Sequence, residues 1–160
     1  MTIATGRLLL APLRADDADE LVDVLDDERL HEFTGGRPAT LDELRDRYRR
    51  LAAGSTTAGE TWRNWIVRRR ADSKAVGMVQ ATIRGRTAWI AWVVGVPFQR
   101  QGFASEAAIA LVDGLRGEGV EEVRAHVHPD HRASAAVAAR AGLEPTRDES
   151  DGEVVWRLTL

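Results

Sequence analysis

The sequence predicts an α+β fold in which helices flank both faces of a mixed, mostly antiparallel central sheet. Apolar residues alternate with polar ones in several short segments, as in half-buried strands, and recur every three or four positions in others, as in amphipathic helices. Three strand-like segments follow one another between Trp62 and Val96, which is typical of an antiparallel meander. The length of 160 residues fits one domain, so we expect a single domain over residues 1–160.

The first half of the chain predicts one strand and two helices. The apolar stretch over residues 8–13 is the strand. The next helix has apolar residues at helical spacing, at Ala18, Leu21, Val22 and Leu25. The second helix opens with a T-x-x-E capping box, Thr40 and Glu43, ahead of one apolar stripe. Residues 54–61 are small and polar and predict a loop.

The second half begins with the strand meander, in which Gly77 and Gly85 are predicted to lie in turns. The clearest helix follows and ends at Gly117 and Gly119. Its apolar positions are Ala104, Ala107, Ala108, Leu111, Val112 and Leu115. A strand over residues 123–127, an alanine-rich helix over residues 133–141 and one or two final strands complete the fold.

The composition excludes several classes of protein and site. Lys and Arg number 22 against 25 Asp and Glu, which gives a net charge of −3 and no broad basic surface for nucleic acid. The absence of cysteine excludes disulfides, thiolate metal ligands and a cysteine nucleophile. No apolar run approaches the roughly 18 residues of a membrane span, and residues 1–7 lack the pattern of a signal peptide. We therefore expect a cytoplasmic protein with no membrane or nucleic-acid partner.

The segment between the last meander strand and the clearest helix carries the chemistry. It reads Val96-Pro-Phe-Gln-Arg-Gln-Gly-Phe-Ala-Ser105, and Gly102 permits a tight bend without an obstructing Cβ. A bend that leads directly into a helix points several backbone N–H groups at one place and adds the positive end of the helix dipole. Such a place suits a phosphate, and Arg100 adds a charged side chain. An ordinary turn glycine before a helix explains the same pattern.

The pattern Gln99-x-x-Gly102-x-Ala104 resembles the Q/R-x-x-G-x-G/A pyrophosphate loop of the GNAT acyltransferases. The predicted order of strands and helices is similar to the whole GNAT domain, so the resemblance covers nearly all of the chain. The helix with Ser134 and the Ala141-Gly142-Leu143 spacing most resemble the branch that contains ribosomal-protein alanine N-acetyltransferases. The resemblance implies an N-acetyltransferase that uses acetyl-CoA as cosubstrate.

The resemblance also implies which residues bind acetyl-CoA. Backbone groups of Trp92, Val93 and Val94 are expected to pair with the pantetheine amides. The residues of the bend are expected to hold the pyrophosphate, chiefly through N–H groups; they are Gln99, Arg100, Gln101, Gly102, Phe103, Ala104 and Ser105. His131 and Ser134 are expected beside the pantetheine arm. His131 stands where this branch usually carries Asn.

The catalytic groups carry over from the resemblance only in part. Ser134 is expected as the general acid for the leaving thiolate, because relatives in this branch use a serine there. The region where many relatives place a tyrosine acid reads Val137 and Ala138, and the strand position of a glutamate base reads Ala88. The resemblance therefore identifies no general base.

An α-amine with a pKa near 8 needs a side-chain base less than a lysine does, because about one-tenth of it is neutral at pH 7. Water or a histidine suffices to take its proton. His126 and His128 share one face of their predicted strand, and we expect His128 as a proton relay. Both also fit as polar-face residues of a half-buried strand.

We expect direct acetyl transfer from the thioester to a primary amine, either a peptide N-terminus or a small-molecule amine, because there is no cysteine to form an enzyme thioester. Two other functions stay open. One is a module that binds acyl-CoA without turnover. The other is a metal site of His126-x-His128 with Asp130 or His131, although we expect no metal. An exposed last strand over residues 154–160 is predicted to pair with a second copy in a homodimer.

Overall fold

The computed structural model describes residues 1–160 and contains eight strands and four helices. The strands are β1 (Ile3–Ala4), β2 (Leu8–Pro12), β3 (Glu60–Arg69), β4 (Ala75–Arg84), β5 (Thr87–Val94), β6 (Glu122–Val127), β7 (Glu144–Ser150) and β8 (Glu153–Thr159). The helices are α1 (Ala18–Val24), α2 (Leu41–Ala53), α3 (Phe103–Gly117) and α4 (Arg132–Arg140). Short 3-10 turns occupy Ala15–Asp17, Glu28–His31 and Val96–Phe98. None of the four helices combines the length and apolar character that crossing a bilayer requires.

All eight strands join one sheet in the order β1-β2-β3-β4-β5-β6-β8-β7. Every neighbouring pair is antiparallel except β5 and β6, which run parallel. Because parallel neighbours need a crossover, α3 carries the chain from one to the other. The predicted α+β fold with a mixed, mostly antiparallel sheet is confirmed.

Helices cover both faces of the sheet. Successive side chains of a strand point to opposite faces. In β3, Trp65 and Val67 join the larger core with α3 and α4, whereas Ile66 joins the smaller core with α1 and α2. Tyr48 of α2 is fully buried in the smaller core, and this burial raises the pKa of its hydroxyl.

The capping box predicted at the start of α2 is present. The Glu43 N–H donates to Thr40 Oγ1 at 3.2 Å, and the Thr40 N–H donates to the Glu43 carboxylate at 3.2 Å. These two bonds satisfy donors that the first helical turn leaves free, so α2 starts at a sequence-encoded place.

The prediction that Gly77 lies in a turn is wrong. Gly77 sits inside β4, where it pairs with Val67 on one side and Val94 on the other. A Cβ on Gly77 would lie 2.0 Å from the Val93 carbonyl oxygen, so only glycine permits this approach of β4 and β5. The chain instead turns between Arg69 and Ala75.

Two boundary expectations are also corrected. The predicted loop over residues 54–61 is shorter, because β3 already begins at Glu60 and pairs there with β4. The last strand is not an exposed edge, because β8 lies between β6 and β7 and bonds to both. The outer strand at this end is β7, so β8 offers no free edge to a second copy.

Candidate active site

The parallel strands β5 and β6 separate along their length and open a cleft. They pair only over Thr87–Trp89 and Glu122–Arg124. Beyond Trp89, β5 continues for five residues on the edge of the opening, bonded to β4 alone. The backbone of this stretch therefore has one side without a strand partner.

The register of β5 decides which backbone groups face the cleft. The Gly95 N–H donates to the Val76 carbonyl at 2.8 Å, which fixes the alternation of bonds along the antiparallel pair. The backbone groups of Val93 consequently face β4, whereas those of Trp92 and Val94 face the cleft. The Val94 carbonyl accepts a bond from Gln99 Nε2 at 3.0 Å.

The bend before α3 presents a row of free backbone donors. Gly102, the residue before the helix, has φ of +81° in the left-handed region, and Arg100 has φ of +61°. None of the six N–H groups from residue 100 to residue 105 donates to an acceptor in the protein. These donors lie at the positive end of the α3 dipole, which makes the bend a place for an anion.

The bend is held from outside by the chain before β2. Arg7 Nη1 donates to the Gln101 carbonyl at 2.7 Å, and Arg7 Nε donates to Glu106 Oε2 at 2.7 Å. Thr5 Oγ1 donates to the same carboxylate at 2.6 Å. Burial opposes ionisation of Glu106, but these bonds hold its pKa below the ordinary value. The Glu106 carboxylate is therefore already engaged.

The cleft has a volume of about 1080 Å³ and separates two walls. On one wall lie the free edge of β5, the bend and the cleft-facing side of α4. On the other lie the 3-10 turn Glu28–His31, Phe33 and parts of α1 and α2. Five guanidinium groups and two carboxylates line it, namely Arg29, Arg47, Arg100, Arg132, Arg140, Glu32 and Glu153. The lining is thus positive although the whole chain carries a net charge of −3.

Arg140 stands beside the first turn of α3. Its Nη1 donates to Ser105 Oγ at 3.3 Å, and Ser105 is buried. Arg140 has no carboxylate partner, and a cation beside a helix N-terminus is unfavourable unless an anion joins it. Its place in the last turn of α4, where a cation is favoured, offsets part of this cost.

The turn between β6 and α4 brings two histidines to the cleft. The ring of His131 stacks on Phe33 with centroids 4.4 Å apart, and His128 tilts against the same ring at 5.1 Å. Burial lowers the pKa of His131, Glu32 raises it and His128 lowers it further, with a net fall. The protein makes no hydrogen bond to the His131 ring, and no buried polar atom lacks a partner, so its nitrogens are open to the cleft.

His128 and Ser134 also line the cleft. His128 Nδ1 accepts a bond from the Asp130 N–H at 3.1 Å, so the neutral ring carries its proton on Nε2. The half-buried Ser134 makes no side-chain hydrogen bond within the protein, which leaves its hydroxyl free. Tyr48, the only tyrosine, is buried in the smaller core and does not line the cleft.

His126, the third histidine of this region, does not form a metal site with its neighbours. The exposed His126 stacks on Trp89 with centroids 4.5 Å apart. No group of three His, Cys, Asp or Glu side chains lies close enough to hold a metal ion. The histidine metal site therefore has no ligand set.

Residues 7–144 match the family model described as an acetyltransferase (GNAT) domain. The chain belongs to the GNAT acetyltransferase family. The predicted family and the predicted enzyme class, an N-acetyltransferase, are thereby confirmed. No curated protein sequence matches the chain.

Solved structures of GNAT proteins share the fold over the whole chain. An acetyltransferase from Agrobacterium tumefaciens is 25% identical, with 100% of this chain and 95% of that chain covered and a TM-score of 0.78. A Vibrio cholerae protein assigned as a ribosomal-protein-serine acetyltransferase is 24% identical, with coverage of 100% and 98% and a TM-score of 0.77. RimL, an α-N-protein acetyltransferase of ribosomal L7/L12 solved with coenzyme A, is 14% identical, with coverage of 100% and 98% and a TM-score of 0.79. All three share the fold of this chain.

Sequence reasoning missed Phe33 and Arg140, which contact predicted site residues. Phe33 follows a 3-10 turn and belongs to no periodic pattern, so nothing local marks it. The helical spacing could have indicated Arg140, because residues 133, 136, 137 and 140 of α4 fall on one helical face. All four of these residues line the cleft.

Proposed function

We propose that this GNAT protein is an acetyl-CoA-dependent enzyme that transfers the acetyl group directly to a primary amine, of a peptide N-terminus or a small molecule. The observation that carries the proposal is the row of six unbonded N–H groups from residue 100 to residue 105 at the mouth of the cleft. Diphosphate oxygens are strong acceptors, and the helix dipole adds to their attraction.

The residues of the cleft fit acetyl-CoA in two further respects. Backbone groups of Trp92 and the N–H of Val94 are free to bond the amides of a pantetheine arm as an added strand would. Arg100, Arg132 and Arg140 supply unpaired positive charge to the phosphates. Three GNAT neighbours were solved with acetyl-CoA or coenzyme A. When bound, acetyl-CoA supplies the acetyl group as an activated thioester.

Ser134 and His128 are proposed to handle the protons. The free Ser134 hydroxyl donates a proton to the leaving sulfur. His128 relays the proton released by the amine towards solvent. Association into a homodimer and the absence of a nucleic-acid partner stay predictions.

Calorimetric titration with acetyl-CoA, followed by a free-thiol release assay over a panel of amines and peptide N-termini, tests this function. We expect saturable binding and thiol release that depends on the amine. Binding without release above the hydrolysis background across the panel would favour the module that binds acyl-CoA without turnover. Absence of binding would overturn the proposal.

A further inference from the structure

The cleft lacks a carboxylate in the strand position where the GNAT resemblance expects a general base, since Ala88 stands there and is fully buried. A primary amine that forms an amide nevertheless has to lose a proton. Some group in the cleft, or water, must therefore take it.

All four histidines of the chain line the cleft, and the structure distinguishes them. His31 Nδ1 lies 3.1 Å from the Gly35 carbonyl oxygen. The flat face of the His126 ring is covered by Trp89 at the exposed edge of the sheet. His128 Nδ1 is engaged by the Asp130 N–H, and its other nitrogen carries the proton of the neutral ring. His128 accepts a proton only by giving up the bond to Asp130. The half-buried His131 makes no side-chain hydrogen bond within the protein, and its ring nitrogens are open to the cleft. His126 also makes none, but its side chain is exposed and stacks on Trp89.

The surroundings of His131 suit a proton acceptor. Phe33 fixes the orientation of its ring by stacking, so little orientational freedom is lost when a substrate arrives. The charged and titratable groups that act on it are Glu32, on the opposite wall, and His128, on its own turn. Glu32 stabilises the imidazolium once the proton has arrived, and burial keeps the ring neutral before that.

We propose that His131 is the catalytic group that takes the proton from the acceptor nitrogen, which rests on the proposed acetyl transfer. As the C–N bond to the carbonyl carbon forms, the nitrogen proton moves to a ring nitrogen of His131. The C–S bond breaks, and the sulfur receives a proton from Ser134, which is restored from solvent. His131 then returns its proton to solvent.

The test compares His131→Asn with His126→Asn in acetyl transfer between pH 5.5 and 9.5. Asn is polar, and the GNAT branch that this chain resembles usually carries it at this position, so the variant is expected to fold and to bind acetyl-CoA within about twofold of the unaltered protein. We expect His131→Asn to lower kcat by about a hundredfold at pH 7 and to remove the acidic limb of the pH profile. The matched control, His126→Asn, replaces another histidine of the cleft and is expected to keep both the kcat at pH 7 and the acidic limb of the pH profile.

A second variant separates proton transfer from packing. His131→Ala leaves a space beside Phe33, and added imidazole is expected to restore a measurable part of its rate in proportion to the neutral imidazole concentration. A structural role would give no such rescue.

Unchanged rate and pH profile in His131→Asn, with an active unaltered protein, would overturn this inference and leave the proposed function in place. An unaltered protein that transfers acetyl to no amine would overturn both.

Discussion

The phenyl ring of Phe33 stacks on the imidazole of His131, with centroids 4.4 Å apart and an interplanar angle of 16°. The two residues come from opposite walls of the cleft. The stack therefore closes the cleft locally and removes part of the His131 ring from water.

Replacement of Phe33 by Leu is predicted to raise the pKa of His131 towards its ordinary value of 6.5, because burial is the main cause of the lowered value. Titration of the histidine ring signals by NMR measures this shift directly. An unmoved His131 pKa would show that Phe33 does not control its burial.

The same pair affects stability as a function of pH. The folded state resists protonation of His131, whereas the unfolded state binds that proton at the ordinary pKa of 6.5. Unfolding free energy is therefore expected to fall as pH drops below 6.5, and the fall ends once the lowered pKa is passed. Phe33→Leu should make this contribution smaller in urea unfolding at a series of pH values.

Arg140→Gln is predicted to weaken acetyl-CoA binding by about tenfold, since a charge-assisted hydrogen bond to a phosphate would be lost. S-acetylpantetheine, which lacks the diphosphate, should bind the variant and the unaltered protein equally. Arg116→Gln is the matched control, because Arg116 also lies in the last turn of a helix and its replacement removes the same charge. An equal loss of affinity for acetyl-CoA and for S-acetylpantetheine would assign Arg140 a structural role instead.

Gly77→Ala is predicted to lower unfolding free energy by about 1–3 kcal/mol, because the new Cβ meets the Val93 carbonyl oxygen 2.0 Å away. The displaced β5 edge should also bind acetyl-CoA less tightly. Gly117→Ala in α3 meets nothing within 4 Å and should leave stability unchanged or raise it by up to about 1 kcal/mol. Equal stability of the two variants would contradict the close approach of β4 and β5.

Ser134→Ala is predicted to reduce kcat by about a hundredfold while the KM for acetyl-CoA stays near its original value, because the hydroxyl acts on the leaving sulfur rather than in binding. Ser134→Thr keeps a hydroxyl and should retain much of the rate. Steady-state kinetics at saturating amine make the comparison. A rise in KM with unchanged kcat would assign Ser134 to binding alone.

Features that depend on neighbouring residues could be predicted from the sequence. The bend at Gly102 and the helix that follows are local, because a left-handed residue, free N–H groups and an apolar stripe all lie within one short segment. The capping box of Thr40 and Glu43 is local in the same sense.

Features that depend on pairing between distant segments could not be predicted from the sequence. The separation of β5 from β6 after Trp89 arises from how two strands far apart in sequence are joined, and neither strand has a pattern that marks it. Gly77 looks like a turn residue until its neighbour Val93 is placed across from it. The strand β7, Glu144–Ser150, is mostly exposed and polar, so it shows no apolar alternation. Contacts such as the one between Phe33 and His131 join segments about a hundred residues apart.

Acetyl-CoA binding is proposed to depend on the backbone donors of the bend, and titration of ¹⁵N-labelled protein with acetyl-CoA tests them most directly. We predict that the amide signals of residues 100–105, together with those of Trp92 and Val94, shift together and saturate with a single affinity. Saturable binding that leaves these amides unmoved while others shift would contradict the account.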